Sequence, residues 1–294
     1  MKTKWLAIPC LMAMGVALVG CQSKTPATNK TMKSTATPRI VSTTVAATTI
    51  FDKLNLDLVG IPTSSQTLPT RYQSVTKVGS PMGPDMEKLS LLKPDRVYST
   101  KTLESDLAPQ FANAGLKADF LDFTSISSMM AEITSLGKTY QRSTEAQALN
   151  QTLMTALDQA KQKAKTEKPV KVLILMGIPG SYLVATEHSY IGNLVKLVGG
   201  TNVVQGEHAE YLASNTEYLQ KSNPDIILRA AHGMPEEVVK MYQKDFKENP
   251  IWQTFSAVKN QRVYDLDSTL FGMTATLDAP KALKETEKML YENH

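Results

Sequence analysis

Cysteine is nearly absent from this chain, which has Cys10 and Cys21 and no other. Cys10 lies inside an N-terminal leader that is expected to be removed, so what remains has neither a disulfide nor a cysteine-based metal site. Basic charge is not concentrated either. The formal net charge is +4, which loss of Lys2 and Lys4 with the leader lowers by two to +2. No cluster of Lys and Arg interleaved with aromatic residues occurs, and this argues against a nucleic-acid partner. Enzyme signatures are missing as well: no GxSxG, Walker A or GxGxxG stands in the context its chemistry needs. Gly177-Ile-Pro-Gly180 follows a strand-like run but reads as a turn. His188, His208 and His294 are scattered and form no HExxH-type pattern. A bare zinc or manganese ion, which needs three or four convergent ligands, is therefore poorly served.

What is present begins with the leader. Lys2 and Lys4 make a positive start, and Trp5 to Ala17 is an uncharged, mostly apolar run. Small residues then lead to Leu18-Val19-Gly20-Cys21. This order is that of a secretory signal, too short for a stable membrane span. The tetrapeptide resembles the lipobox of bacterial lipoproteins, which implies cleavage after residue 20 and a lipid on the Cys21 thiol. Gln22 to Pro38 is rich in Thr, Ser, Lys and Pro; it buries too little apolar surface to order itself and reads as a flexible tether over 21–37. No second apolar run of spanning length follows, so the body is expected to be soluble and held at the membrane by its lipid alone.

The body alternates strand-like runs with helical patterns, an α/β arrangement with parallel sheets. Candidate strands are Arg39 to Ser42, Leu58 to Ile61, Arg96 to Ser99 and Ala118 to Leu121, then Lys171 to Gly177, Asp225 to Leu228 and Arg262 to Leu266. Between the two sets, Ser143 to Lys168 contains no Gly or Pro, and Ala146, Leu149, Leu153, Leu157, Ala160 and Ala164 recur at steps of three and four. That is one stripe of an amphipathic helix, ended by Pro169 and roughly 35–40 Å long at 1.5 Å per residue. It is expected to bridge two lobes, 38–141 and 169–294, with the bridge at 142–168. A repeat supports the two lobes. Glu87 and Glu217 are each followed by Leu at +2 and Pro-Asp at +7 and +8, then by a strand-like run.

Two segments stand out for chemistry. Met82 lies in Val78-Gly-Ser-Pro-Met-Gly-Pro-Asp85, a context that excludes a regular helix or central strand. His232 lies in Arg229-Ala-Ala-His-Gly-Met-Pro235, directly after a predicted strand, where α/β proteins tend to hold ligands. On the residues alone, Met82 reads equally as a buried loop anchor and His232 as a surface residue. Ser42-Thr43-Thr44-Val45 passes from a strand into the helix Ala46 to Leu54, and free N–H groups at a helix start favour anions; Thr43 or Thr44 also reads as a plain helix cap, and the two readings are compatible.

With its lipobox, two lobes and single helical bridge, the chain resembles the class III substrate-binding lipoproteins of siderophore, haem and cobalamin ABC importers, whose lobes are Rossmann-like. Through the Met82 and His232 segments it is most similar to the haem-binding lipoproteins of the iron-regulated surface determinant (Isd) system. The resemblance covers Pro38 to the C-terminus. It implies a ligand carrier rather than an enzyme, with haem b (iron protoporphyrin IX) as cargo and Met82 and His232 as axial ligands of its iron. A thioether and an imidazole suit those two positions. It implies haem propionates near Thr43, Thr44, Val45 and Tyr72, and Met234, Met273 and Phe271 as candidates to line the porphyrin. Glu87 and Glu217 would dock on arginines of an ABC permease. Further implications are upstream cell-wall haem-transfer proteins, a monomer with small lobe closure, and a lipid anchor on the outer face of a Gram-positive cytoplasmic membrane. A ferric-siderophore or cobalamin carrier is the rival, with Arg71 and Tyr72 the groups available to an anionic chelate. Met86 and Met234 are possible substitutes for Met82.

Overall fold

The computed structural model describes residues 37–292. The leader 1–20, Cys21, the tether up to residue 36, and His294 lie outside the described residues. In the first half, β1 (Ile40–Ser42), α1 (Val45–Lys53), β2 (Gly60–Ile61) and β3 (Thr76–Lys77) precede a small hairpin of β4 (Gly79–Ser80) and β5 (Gly83–Pro84). Then come α2 (Met86–Leu91), β6 (Arg96–Thr100), α3 (Glu104–Asn113), β7 (Ala118–Leu121) and α4 (Ile126–Thr139). The strands assemble in the order β3-β2-β1-β6-β7, all parallel.

After α5 (Ser143–Ala164) the second half runs β8 (Lys171–Ile178), β9 (Ser181–Ala185), α6 (Tyr190–Leu197), β10 (Thr201–Asn202), β11 (Tyr211–Ala213) and α7 (Thr216–Ser222). It continues with β12 (Ile226–Ala231), α8 (Pro235–Glu248), α9 (Ser256–Lys259), β13 (Val263–Asp265) and α10 (Ala279–Tyr291). Its sheet has the order β11-β9-β8-β12-β13, with β10 also beside β8. The parallel sheet carries one antiparallel member, β9, which runs opposite to both β8 and β11. The cause is local: Pro179-Gly180 closes a two-residue turn between Ile178 and Ser181, and so short a connection joins only antiparallel strands.

The inner strands are buried on both faces, as parallel strands under helices should be. Val172, Ile174 and Met176 of β8, with Ile226, Leu228 and Ala230 of β12, point into one core; Leu173, Leu175 and Ile227 point into another. The first core also takes Ile40 and Tyr98 from the first sheet and Ala146, Leu153, Leu157 and Ala160 from α5. One apolar cluster therefore runs through both halves along α5. Its 22 residues span about 33 Å, and the helix stops at Ala164, short of Lys168, with Lys165 as its cap. Lys163 near that end is paired with Glu287 and Glu292.

The repeated Pro-Asp does the same work twice. Lys93 and Asn223, just before each Pro, adopt left-handed backbone (φ 45 and 40). Asp95 then accepts from the Arg39 N–H at 2.8 Å and donates its own N–H to the Arg39 carbonyl at 2.9 Å. Asp225 does likewise with Lys171, at 2.8 Å in each direction. Each aspartate thus ties the start of one central strand to its neighbour, β1 to β6 and β8 to β12.

Candidate functional site

Three segments that leave the carboxyl ends of parallel strands carry the residues of interest. Beyond β3, the β4–β5 hairpin turns at Pro81-Met82, and the ladder pairs Gly79 with Pro84 and Ser80 with Gly83. The turn holds the Met82 thioether away from the core, 66% exposed. Such exposure is unusual for a long apolar side chain at a tight turn, and it excludes the reading of Met82 as a buried loop anchor.

Beyond β12, His232 donates its backbone N–H to the Gly177 carbonyl at 2.8 Å, extending the ladder with β8 by one bond. Gly233 (φ 71) and Met234 (φ 40) then both take left-handed backbone, and Pro235 opens α8. The reversal leaves His232 half-buried at the mouth of its sheet. Burial lowers its imidazole pKa below the ordinary 6.5, so the ring stays neutral and keeps a nitrogen lone pair for a metal. Met234, 54% exposed, stands on the same rim.

Beyond β1, the hydroxyls of Thr43 and Thr44 are committed within the chain. Thr43 Oγ1 and its N–H both donate to the Tyr98 carbonyl, at 3.1 and 2.9 Å. Thr44 Oγ1 caps α1 by accepting from Ala47 N at 3.3 Å. Thr44 is thus the helix cap, one of the two compatible readings of this segment. The donors this helix start presents are the N–H groups of Val45 and Ala46, which have no acceptor among the described residues. Ala46 was not anticipated.

Tyr72 is a clearer correction. It is 2% exposed, and its hydroxyl donates to the Leu56 carbonyl at 2.6 Å. Leu56 follows the C-terminus of α1, at the amino end of the sheet, so Tyr72 lies away from the ligand mouth. Burial pushes its phenol pKa up. Arg71 is turned the same way, bound to Asn55 at 2.9 Å and Asp57 at 2.7 Å. The two groups proposed for an anionic chelate are thus absent from the mouth.

Phe271 is fully buried and presents no free face, while Met273 packs on the main core but stays partly exposed; Met86 packs against the cluster that holds Val41 and Leu89. Glu87 is exposed in the first turn of α2. Glu217 belongs to α7, and its side chain lies outside the described residues. His188 stands beside Glu187 at 3.9 Å, and His208 is in an exposed loop. Among the described residues no three His, Cys, Asp or Glu side chains cluster to hold an ion, and no helix is long and apolar enough to cross a membrane. A pocket of about 430 Å³ lined by Lys171, Thr201, Asn202, Gln205, Lys221 and neighbours opens at the amino end of β8, the end opposite His232.

Two α/β halves on one long helix, with soft and nitrogen donors at the carboxyl ends of their sheets, define a two-lobed solute-binding protein of the helical-backbone class. The chain belongs to the periplasmic binding protein family, whose model matches residues 40–270. It is 47% identical over 293 residues, 99% of this chain and 98% of the other, to the high-affinity heme uptake system protein IsdE of Staphylococcus aureus (strain Newman). Among solved structures, an ABC transporter substrate-binding protein from Listeria monocytogenes EGD-e is 64% identical. It covers 88% of this chain and 100% of its own, with a TM-score of 0.84. S. aureus IsdE complexed with heme is 49% identical over 87% of this chain and 100% of its own, with a TM-score of 0.85.

Proposed function

We propose that this chain is a high-affinity haem-binding protein that receives haem outside the cell and delivers it to an ABC permease for iron acquisition. The observation that carries the reading is a pair: an exposed thioether at the mouth of one sheet and a neutral imidazole at the mouth of the other. Met82 and His232 would fill the two axial positions of haem iron, one from each lobe. The N–H groups that open α1 at Val45 and Ala46, next to Thr43 and Thr44, are suited to the propionates. Nearly full-length similarity to a heme uptake protein supports haem b as the cargo. Two axial ligands leave iron no open position, which favours carriage over catalysis.

Lobes at 38–141 and 169–294, bridged within 142–168, would move little about so rigid a connection. Release to the permease would then require competition for Met82 or His232. Glu87 and Glu217, at matching places in the two lobes, would meet basic residues of the permease. A lipid on Cys21 and the tether 21–37 would hold a monomer at the outer face of a Gram-positive cytoplasmic membrane, supplied by cell-wall haem-transfer proteins.

The test is competitive binding. Haemin, a ferric siderophore and cobalamin are titrated separately into the purified protein. The reading expects saturable one-to-one binding of haemin alone. Preference for either other ligand would overturn it.

A further inference from the structure

The row of side chains that β8 turns toward α8 ends in a gap. Leu173 and Leu175 face the core they share with α8, and alternation along the strand puts Gly177 next on that face. Val238 and Tyr242 of α8, both fully buried, fill the space a side chain would take. A Cβ on Gly177 would lie 2.3 Å from Val238 Cγ1 and 2.9 Å from Tyr242 Cε2. Gly177 is also the residue whose carbonyl accepts the His232 N–H, at 2.8 Å. The support of His232 and the seat of α8 are therefore one residue.

Tyr242 is fixed from several sides. Its hydroxyl donates at 3.3 Å to the carbonyl of Ala230 in β12, two residues before His232. The Arg229 guanidinium stands 5.4 Å from its ring centroid and is itself held by Asp265 through two bonds of 2.7 Å. The Tyr182 ring lies 5.9 Å away, centroid to centroid. A side chain so enclosed cannot turn aside for a new neighbour. Only Gly233 and Met234 separate His232 from α8, and both take left-handed backbone. The Met234 carbonyl accepts from Glu237 N at 3.0 Å and Val238 N at 3.1 Å, so the helix begins on the loop itself. A shift of α8 away from Gly177 would thus be passed to His232.

We infer that Gly177 and Tyr242 are positioning residues for His232. Gly177 lets α8 close onto the sheet, and Tyr242 locks it there through the Ala230 carbonyl. Together they set where the imidazole stands at the mouth of its sheet. The inference deepens the haem reading and rests on it for what the imidazole binds.

The experiment measures haemin affinity and the oxidised and reduced absorption spectra in Gly177→Ala and Tyr242→Phe, each made alone and together with His232→Ala. Gly177→Ala should weaken haemin binding about 10- to 100-fold, the range for groups that orient a metal ligand, and should shift the iron out of the six-coordinate low-spin state. Tyr242→Phe keeps the ring and its stacking, and should weaken binding about two- to tenfold, the effect of one hydrogen bond; it carries the test alone if Gly177→Ala does not fold. Both losses should vanish in the His232→Ala background. Leu175→Ala, which empties part of the same core two residues earlier, should lower the urea midpoint and leave the spectrum unchanged. In the ligand-free protein, the His232 N–H should exchange with solvent faster in both variants than in wild type, out of proportion to their change in unfolding free energy. Losses that persist undiminished without the imidazole overturn the positioning role, as does exchange at His232 that stays at the wild-type rate. If haemin does not bind at all, the proposed function falls while the exchange measurement still decides whether Gly177 and Tyr242 set the place of His232.

Discussion

Replacing Gly79 by alanine should damage the protein at the site and not merely in its stability. Gly79 begins the hairpin that carries Met82, and its φ of +98 is a conformation that side-chain-bearing residues rarely adopt. A Cβ there would lie 2.8 Å from the Gly83 carbonyl oxygen and 2.9 Å from Asp85 N. Both are backbone atoms, one in the opposing strand and one in the residue just past it, so neither can swing aside. The left-handed backbone costs about 1–2 kcal/mol, and forced displacement of a packed neighbour about 1–3 kcal/mol more. The sum, about 2–5 kcal/mol, exceeds what a two-residue ladder can resist, and the hairpin should shift. Gly233 is the control. It lies in the other ligand loop with φ +71, but a Cβ there meets nothing within 4 Å, so Gly233→Ala should cost only the conformational part, about 1–2 kcal/mol. Urea unfolding and haemin titration of both variants decide the matter. The reasoning expects Gly79→Ala to be the less stable and to lose at least about tenfold in affinity, the equivalent of 1.4 kcal/mol. Equal stability of the two variants would refute the steric argument.

Asp95→Ala and Asp225→Ala should each cost about 1 kcal/mol in unfolding free energy. Lying in different lobes, they should add in the double variant, and markedly unequal costs would deny their structural equivalence. Tyr72→Phe removes the buried bond to the Leu56 carbonyl and should cost about 1–2 kcal/mol while leaving haemin affinity unchanged. A loss of affinity would return Tyr72 to the ligand. The His232 ring should titrate below 6.5 in an NMR pH series on the ligand-free protein. Because its folded pKa is depressed, the folded state binds fewer protons than the unfolded chain, and His232 should withdraw stability as pH falls through 6.5. An inflection at or above 6.5 would contradict the burial argument.

Much of the architecture could be read in advance because its signals are periodic. The stripe from Ala146 to Ala160 is buried along α5, and each predicted strand coincides with an observed one to within a few residues. What escaped lacks periodicity. The two-residue strands β3 to β5 and β10 are too short to carry alternation, and β9 and β11 depend on a turn whose pairing is a tertiary fact. Within the proposed site, only the family resemblance gave Met82 and His232 a ligand role; that both lie on irregular backbone was legible from the Pro and Gly that flank them. Tyr72 was not, because whether a Tyr faces a cleft or bonds a carbonyl depends on where the chain leaves α1. Thr44 was legible as a helix cap, a reading compatible with the backbone donors of the next two residues meeting a ligand.

The most direct test of the central claim is the absorption spectrum of the haemin complex, oxidised and reduced, in wild type, Met82→Ala, His232→Ala and the double variant. The account predicts six-coordinate low-spin iron in wild type, a distinct change in each single variant, and weak binding in the double. A double variant that binds haemin as tightly as wild type, with the same spectrum, would contradict it.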